Sequence, residues 1–228
     1  MTIIDNYKRI KDQVHETALK CGRNPNDIKI IAVSKTFGTE IIQEAINSGI
    51  TIFGENKVQE AKNKIPLLNG VFELHMIGHL QSNKVNDAIK LFNTIHSIDK
   101  ISTASKLNIE AEKTHKIQKI LLQLKTSDET TKNGADPAEI VSIASAIMEM
   151  KNLSIEGIMS IGPNTSDINL IKKSFAETSK TLDIINRQLK IQMTELSMGM
   201  SGDFKIAINE GSTILRIGSA IFGDRNKI

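Results

Sequence analysis

Cysteine occurs once in these 228 residues, at Cys21; tryptophan is missing and Tyr7 is the only tyrosine. A single thiol can build neither an internal disulfide nor a Cys-based zinc site, a composition suited to a reducing cytosol. Aromatic residues make up 4% of the chain, which leaves few platforms on which nucleobases could stack. An excess of one charge is also lacking. Lys and Arg number 29 against 26 Asp and Glu, a formal net charge of +3, with no dense basic block, so nucleic acid is not an indicated partner. No apolar run approaches the length of a membrane span. The N-terminus carries charges every few residues and reads as an amphipathic helix (Ile3, Tyr7, Ile10, Val14, Leu19) ended by Gly22, unlike a signal peptide. A cytoplasmic protein without membrane attachment is expected. Neither a Pro/Gly/Ser-rich linker nor a low-complexity tract interrupts the chain, so residues 1–228 are expected to form one domain, with residues 1–24 as a helix packed on it.

What the sequence does contain is an alternation of short β-rich runs with helical patterns. The predicted strands are 28–36, 51–55, 73–78, 94–99, 119–126, 154–161, 195–200 and 214–218. Helical patterns such as "TEIIQEAINSG", "ISTASKLNIEAEKT" and "LIKKSFAETSKTLDIINRQL" fill the gaps. Gly49 and Gly211 read as helix stops, and Asp136-Pro137 as a helix start. Eight strands joined by helices imply a parallel sheet with right-handed crossovers. A closed (β/α)8 barrel, the TIM barrel, is the economical solution; an open doubly wound sheet is the alternative.

In such a barrel chemistry belongs at the C-terminal strand ends. There "IIAVSKT" ends a buried strand on Lys35, and Glu55-Asn56, His75, Gly78, His79 and Ser160 lie at or near further strand ends. A desolvated lysine amine can attack a carbonyl and give a Schiff base; the plain alternative is a lysine that snorkels to solvent. In "LSMGMSGDF" and "LRIGSAIFGDR", Gly199, Ser201, Gly202, Gly218 and Ser219 stand at the turns after strands seven and eight, the usual phosphate site of this fold. A phosphate-bearing aldehyde bridging Lys35 and these loops would be pyridoxal 5′-phosphate (PLP). Arg216 would then face the pyridine nitrogen and keep it unprotonated, a poor electron sink.

The segments "IIAVSKT", "FGENKVQEAKNK", "LHMIGHLQSNK", "IHSID" and "ELSMGMSGDFKIAINEGSTILRIGSAIFGDR" resemble those of the pyridoxal phosphate homeostasis proteins, the YggS/PROSC family. The resemblance runs from about residue 28 to the C-terminus. It implies a barrel similar to the N-terminal domain of alanine racemase, with PLP carried as a Schiff base on Lys35, Asn56 beside the cofactor, Ser201, Gly218 and Ser219 on its phosphate and Arg216 near its ring nitrogen. Ser160 is retained in a strand-six segment, "GIMSIGPNTSD", that departs from the family's pattern, and Lys132 is a possible second amine near the mouth. The family role implied is vitamin B6 and amino-acid homeostasis, with release of PLP to apo-enzymes. Because the chain stops at Ile228 and offers no second acid/base, a monomeric carrier without robust catalysis is expected. The alternatives are a PLP-dependent amino-acid racemase or decarboxylase, and a Schiff-base aldolase without cofactor.

Other constellations point to structure. His75, His79 and His96 fall on strand ends, where a shared metal is disfavoured against packing near the cofactor. Asp203 is expected to cap a helix or to pair with Arg225. Met148, Met150, Met159, Met193, Met198 and Met200 read as core filler.

Overall fold

The computed structural model describes residues 2–127 and 133–223. Eight parallel strands close into a barrel in chain order: β1 (Lys29–Val33), β2 (Ile52–Glu55), β3 (Glu73–Met76), β4 (Thr94–Ile98), β5 (Gln118–Leu124), β6 (Leu153–Ser160), β7 (Glu195–Ser197) and β8 (Ile214–Ile217). Closure comes from β1 lying against β8, with Lys29 to Ala32 beside Ile214 to Ile217. The helices are α1 (Ile3–Lys20), α2 (Thr39–Asn47), α3 (Val58–Lys64), α4 (Val85–Leu91), α5 (Ile101–Lys113), α6 (Ile140–Met148), α7 (Ile168–Leu189), α8 (Phe204–Asn209) and α9 (Ser219–Phe222). All eight predicted strands are present, and the open sheet is excluded.

Alternation along each strand builds two cores. Ile30, Ala32, Phe53, Leu74 and Leu215 face outward into the layer shared with the helices. Ile31, Val33, Ile77 and Ile214 face inward and fill one half of the barrel interior, with Ile52 packed against them. Fully burying one such aliphatic side chain contributes about 1.5–3 kcal/mol. The other half of the interior is polar, built on His75, His96, Ser197 and Arg216, all buried. His75 and His96 therefore sit inside the barrel, away from the loops where they were expected.

Helix α1 is closed at its start by a capping box, in which the Thr2 hydroxyl accepts from the Asp5 N–H and Asp5 accepts from the Thr2 N–H. It buries Ile10, Val14 and Ala18 and packs against α8 and α9. Leu19, expected on the buried face, is 57% exposed, because it lies 100° around the helix from the 10–14–18 stripe. Asp136-Pro137 opens a turn instead of the helix. Asp136 Oδ1 accepts from the Ala138 N–H and its carbonyl from the Glu139 and Ile140 N–H groups, and α6 follows from Ile140. Among the methionines, Met148 and Met200 are exposed rather than core. No helix among the described residues is long and apolar enough to cross a membrane.

Candidate binding site at the barrel mouth

Inward alternation through Ile31 and Val33 carries on past the end of β1 to Lys35, which lines a cavity of about 250 Å³ at the C-terminal mouth. Asn56 from the loop after β2, Ser201 and Gly202 from the loop after β7, Arg216 from β8, and Gly218 and Ser219 at the start of α9 line the same cavity. Ile77, Ile161 and Met200, which sequence reasoning did not single out, supply apolar wall. Six of the seven predicted site residues thus meet in one place.

Ser160 does not join them. Its hydroxyl accepts from Thr178 Oγ1 at 2.8 Å, on α7 outside the barrel. The reason lies in β6, where pairing with β5 skips a residue between Ile155 and Gly157. That irregularity breaks the alternation, so that Ile155 and Ile158 both pack outward and Ser160 follows them. Only the carbonyl of Ser160 serves the site, as an acceptor for Arg216. Lys132 and Arg225 lie outside the described residues. Asp203 occupies the residue before α8, but its Oδ1 accepts from the Met200 N–H at 2.5 Å and makes no cap bond to the helix.

Glycines shape the mouth for two different reasons. A Cβ on Gly78 would stand 2.3 Å from the Asn56 carbonyl oxygen, so glycine is what lets the loop after β3 lie against Asn56. A Cβ on Gly202 would meet nothing within 4 Å, and one on Gly218 only an ordinary contact at 3.5 Å with Val33. Packing of the chain does not require glycine at these two. Both line the cavity.

Arg216 is buried and fixed from below. Nη1 donates to the Ser197 carbonyl at 2.6 Å and to Ser197 Oγ at 2.7 Å, and Nη2 donates to the Ser160 carbonyl at 2.8 Å. Burial lowers its pKa to about 10, with Asp203 opposing the shift, so it remains a cation at neutral pH. A hydrogen-bond chain continues through the interior, with Ser197 Oγ 3.0 Å from His96 Nδ1, His96 Nε2 2.9 Å from His75 Nδ1, and His75 Nε2 3.3 Å from Glu73 Oε2. Burial holds both histidines below the usual imidazole pKa. Since Arg216 can only donate, the Ser197 hydroxyl donates to His96 Nδ1, and each neutral ring then donates toward Glu73.

A second cluster stands behind Lys35, on the outer side of the wall. Ser34 Oγ donates to Glu55 Oε1 at 2.7 Å. Lys64 on α3 reaches Glu55 Oε1 at 3.4 Å, the Ser34 carbonyl at 3.3 Å, and Glu60. Glu60 Oε1 also accepts from the Thr36 N–H at 2.6 Å. Burial raises the Glu55 pKa against the pull of Ser34 and Lys64. Thr36 itself has φ +72°, a left-handed conformation that costs a β-branched residue about 1–3 kcal/mol. No sequence pattern announces this cluster, because α3 meets the end of β1 only through the fold.

Among the described residues, no three His, Cys, Asp or Glu side chains are grouped so as to hold a metal ion. His79 stays at the rim, 4.0 Å from Asp99.

The family described as "Alanine racemase, N-terminal domain" matches residues 4–226. A pyridoxal phosphate homeostasis protein of Vibrio alginolyticus is 38% identical over 99% of this chain and 98% of its own. PipY of Synechococcus elongatus PCC7942, solved with PLP bound, superposes with a TM-score of 0.88 at 32% identity, covering 97% of this chain and 100% of that one. An alanine racemase of Clostridium difficile shares the fold at 15% identity, with a TM-score of 0.77 over 95% of this chain and 56% of that one. With the barrel, its mouth and these full-length likenesses in hand, the chain belongs to the family of pyridoxal phosphate homeostasis proteins, built on the alanine racemase N-terminal barrel.

Proposed function

We propose that this chain binds PLP, holds its aldehyde covalently on Lys35, and acts in the cytoplasm in vitamin B6 and amino-acid homeostasis without robust turnover. The observation that carries the reading is the meeting of Lys35, Arg216, Ser201, Gly218 and Ser219 on one cavity. The name of the Vibrio alginolyticus relative and the PLP bound in PipY support it.

The residues present fit the cofactor. Bound PLP supplies an aldehyde that a primary amine captures, an aromatic ring with a basic nitrogen, and a phosphate dianion. Lys35 supplies the amine at a wall lined by Val33 and Ile77, and Asn56 stands beside it. Gly202 and Gly218 line the cavity without side chains, and Ser201 and Ser219 bring hydroxyls to it. The Ser201 hydroxyl accepts from the Ala220 N–H at 3.3 Å, tying the loop after β7 to α9. Arg216 offers donors and no acceptor, so it favours an unprotonated ring nitrogen.

Among the described residues, two titratable side chains, Lys35 and Arg216, line the cavity. Two-sided proton transfer needs a second positioned acid/base; Tyr7 sits on α1, which packs against α8 and α9, and is not in the lining. This favours a carrier over a racemase or decarboxylase. A cavity formed by one chain is compatible with action as a monomer, with residues 1–228 as one unit that hands PLP to apo-enzymes.

The reading is tested by adding PLP to the protein and to Lys35→Ala, reducing with borohydride and mapping the adduct. A stable adduct on Lys35 supports it. An amino acid that loses its α-hydrogen to solvent in many turnovers would favour the enzyme reading. Trapping of a phosphorylated sugar on Lys35, without the absorption of a conjugated pyridine, would favour the aldolase.

A further inference from the structure

We propose that Glu60 and Lys64 of α3 are positioning residues for Lys35, holding the end of β1 from outside the barrel wall so that the amine is presented to the cavity. The inference rests on the reading that Lys35 takes the aldehyde of PLP.

Three observations carry it. Both chain neighbours of Lys35 are tied to the same ion cluster: Ser34 through its hydroxyl and carbonyl, Thr36 through its N–H. The cluster is mostly buried, with the Lys64 side chain 13% exposed, that of Glu55 1% and that of Glu60 22%, so its bonds are poorly screened. Thr36 is left-handed at φ +72°, a state that a β-branched residue keeps only where its surroundings over-determine it. The Glu60 carboxylate on its N–H is a charge-assisted restraint of that kind. A second bond, from the Phe37 N–H to the Ser34 carbonyl at 3.2 Å, closes the turn around Lys35.

Neither Glu60 nor Lys64 lines the cavity. Their influence on a ligand must therefore pass through the backbone at 34–37, and it should act on affinity while leaving the chemistry of the amine intact. Lys64 keeps the two carboxylates in place; Glu60 makes the contact that sets the turn.

The test compares Glu60→Ala, Glu60→Gln and Ala61→Gly. Ala61 is fully buried on the same helix, so its loss weakens α3 without touching Thr36. Three quantities are read: the PLP dissociation constant from the absorption titration, the melting temperature without ligand, and hydrogen exchange of the Thr36 amide. Glu60→Ala should weaken PLP binding about tenfold, the size of one charge-assisted hydrogen bond, and speed exchange at Thr36. Glu60→Gln, whose amide oxygen still accepts from Thr36, should recover most of the affinity. Ala61→Gly should lower the melting temperature and leave affinity within about twofold. Wild-type affinity in Glu60→Ala, or an equal loss in Ala61→Gly, would overturn the positioning role. A wild-type protein that takes no PLP on Lys35 would instead overturn the underlying reading, and this one with it.

Discussion

His75 Nδ1 and His96 Nε2 meet at 2.9 Å inside the barrel, with the rings 59° apart. The pair joins the Arg216 end of the interior to Glu73, whose side chain is 61% exposed. Lys29 and Glu195, paired across the same region, complete the charged groups that act on His75; Arg216 and Lys29 act on His96. Arg216 is held at the other end of this chain by Ser197 and the Ser160 carbonyl.

This arrangement predicts a pH dependence of stability. Burial depresses both histidine pKa values below 6.5, so on acidification the unfolded chain takes up these protons before the folded one does. Stability then rises with pH between the folded values and 6.5, and falls as pH drops through that window. The slope is at most about 1.4 kcal/mol per pH unit for each histidine. Urea unfolding from pH 7.5 to 5 should show it, and His96→Gln should flatten it. Equal slopes in both proteins would remove the histidines from the account.

Arg216→Met keeps bulk but takes donors away from the Ser160 carbonyl and from the carbonyl and hydroxyl of Ser197. Leaving buried acceptors without partners should cost about 3 kcal/mol, read as a fall in the urea midpoint. A variant as stable as the wild type would mean that water or a rearranged chain replaces the guanidinium.

Two glycines at the mouth should respond in opposite ways. Gly202→Val adds a side chain in open space at a residue that lines the cavity, so the melting temperature should stay within a degree or two while PLP binding weakens. Gly78→Ala drives a methyl group against the Asn56 carbonyl and should cost about 1–3 kcal/mol as overpacking does. Calorimetry with and without PLP separates the two effects.

Much of this site was legible in the sequence because it follows from strand position. A β-branched run ending on Lys35, and small residues after two adjacent late strands, put Lys35, Ser201, Gly218 and Ser219 at one mouth once a barrel was inferred. Period-two alternation was also enough to turn Arg216 inward beside Ile214. What failed did so where local pattern gives way to register. The irregularity at Ile155–Gly157 reverses Ser160, and no residue near it marks that slip. His75 and His96 lie within β3 and β4, where alternation with the outward Leu74 and Ile95 turns them into the interior, and no local pattern marks a buried histidine pair. The Glu60–Thr36 contact joins residues 24 apart and could not be seen before α3 was placed beside β1.

The central claim is that Lys35 is the amine that holds PLP. The most direct test is mass spectrometry of borohydride-reduced protein after incubation with PLP, with peptides mapped across the chain. The account predicts one dominant phosphopyridoxyl adduct on Lys35, lost in Lys35→Ala together with the visible absorption band. An unmodified Lys35, or a Lys35→Ala protein that keeps both band and adduct, would contradict it.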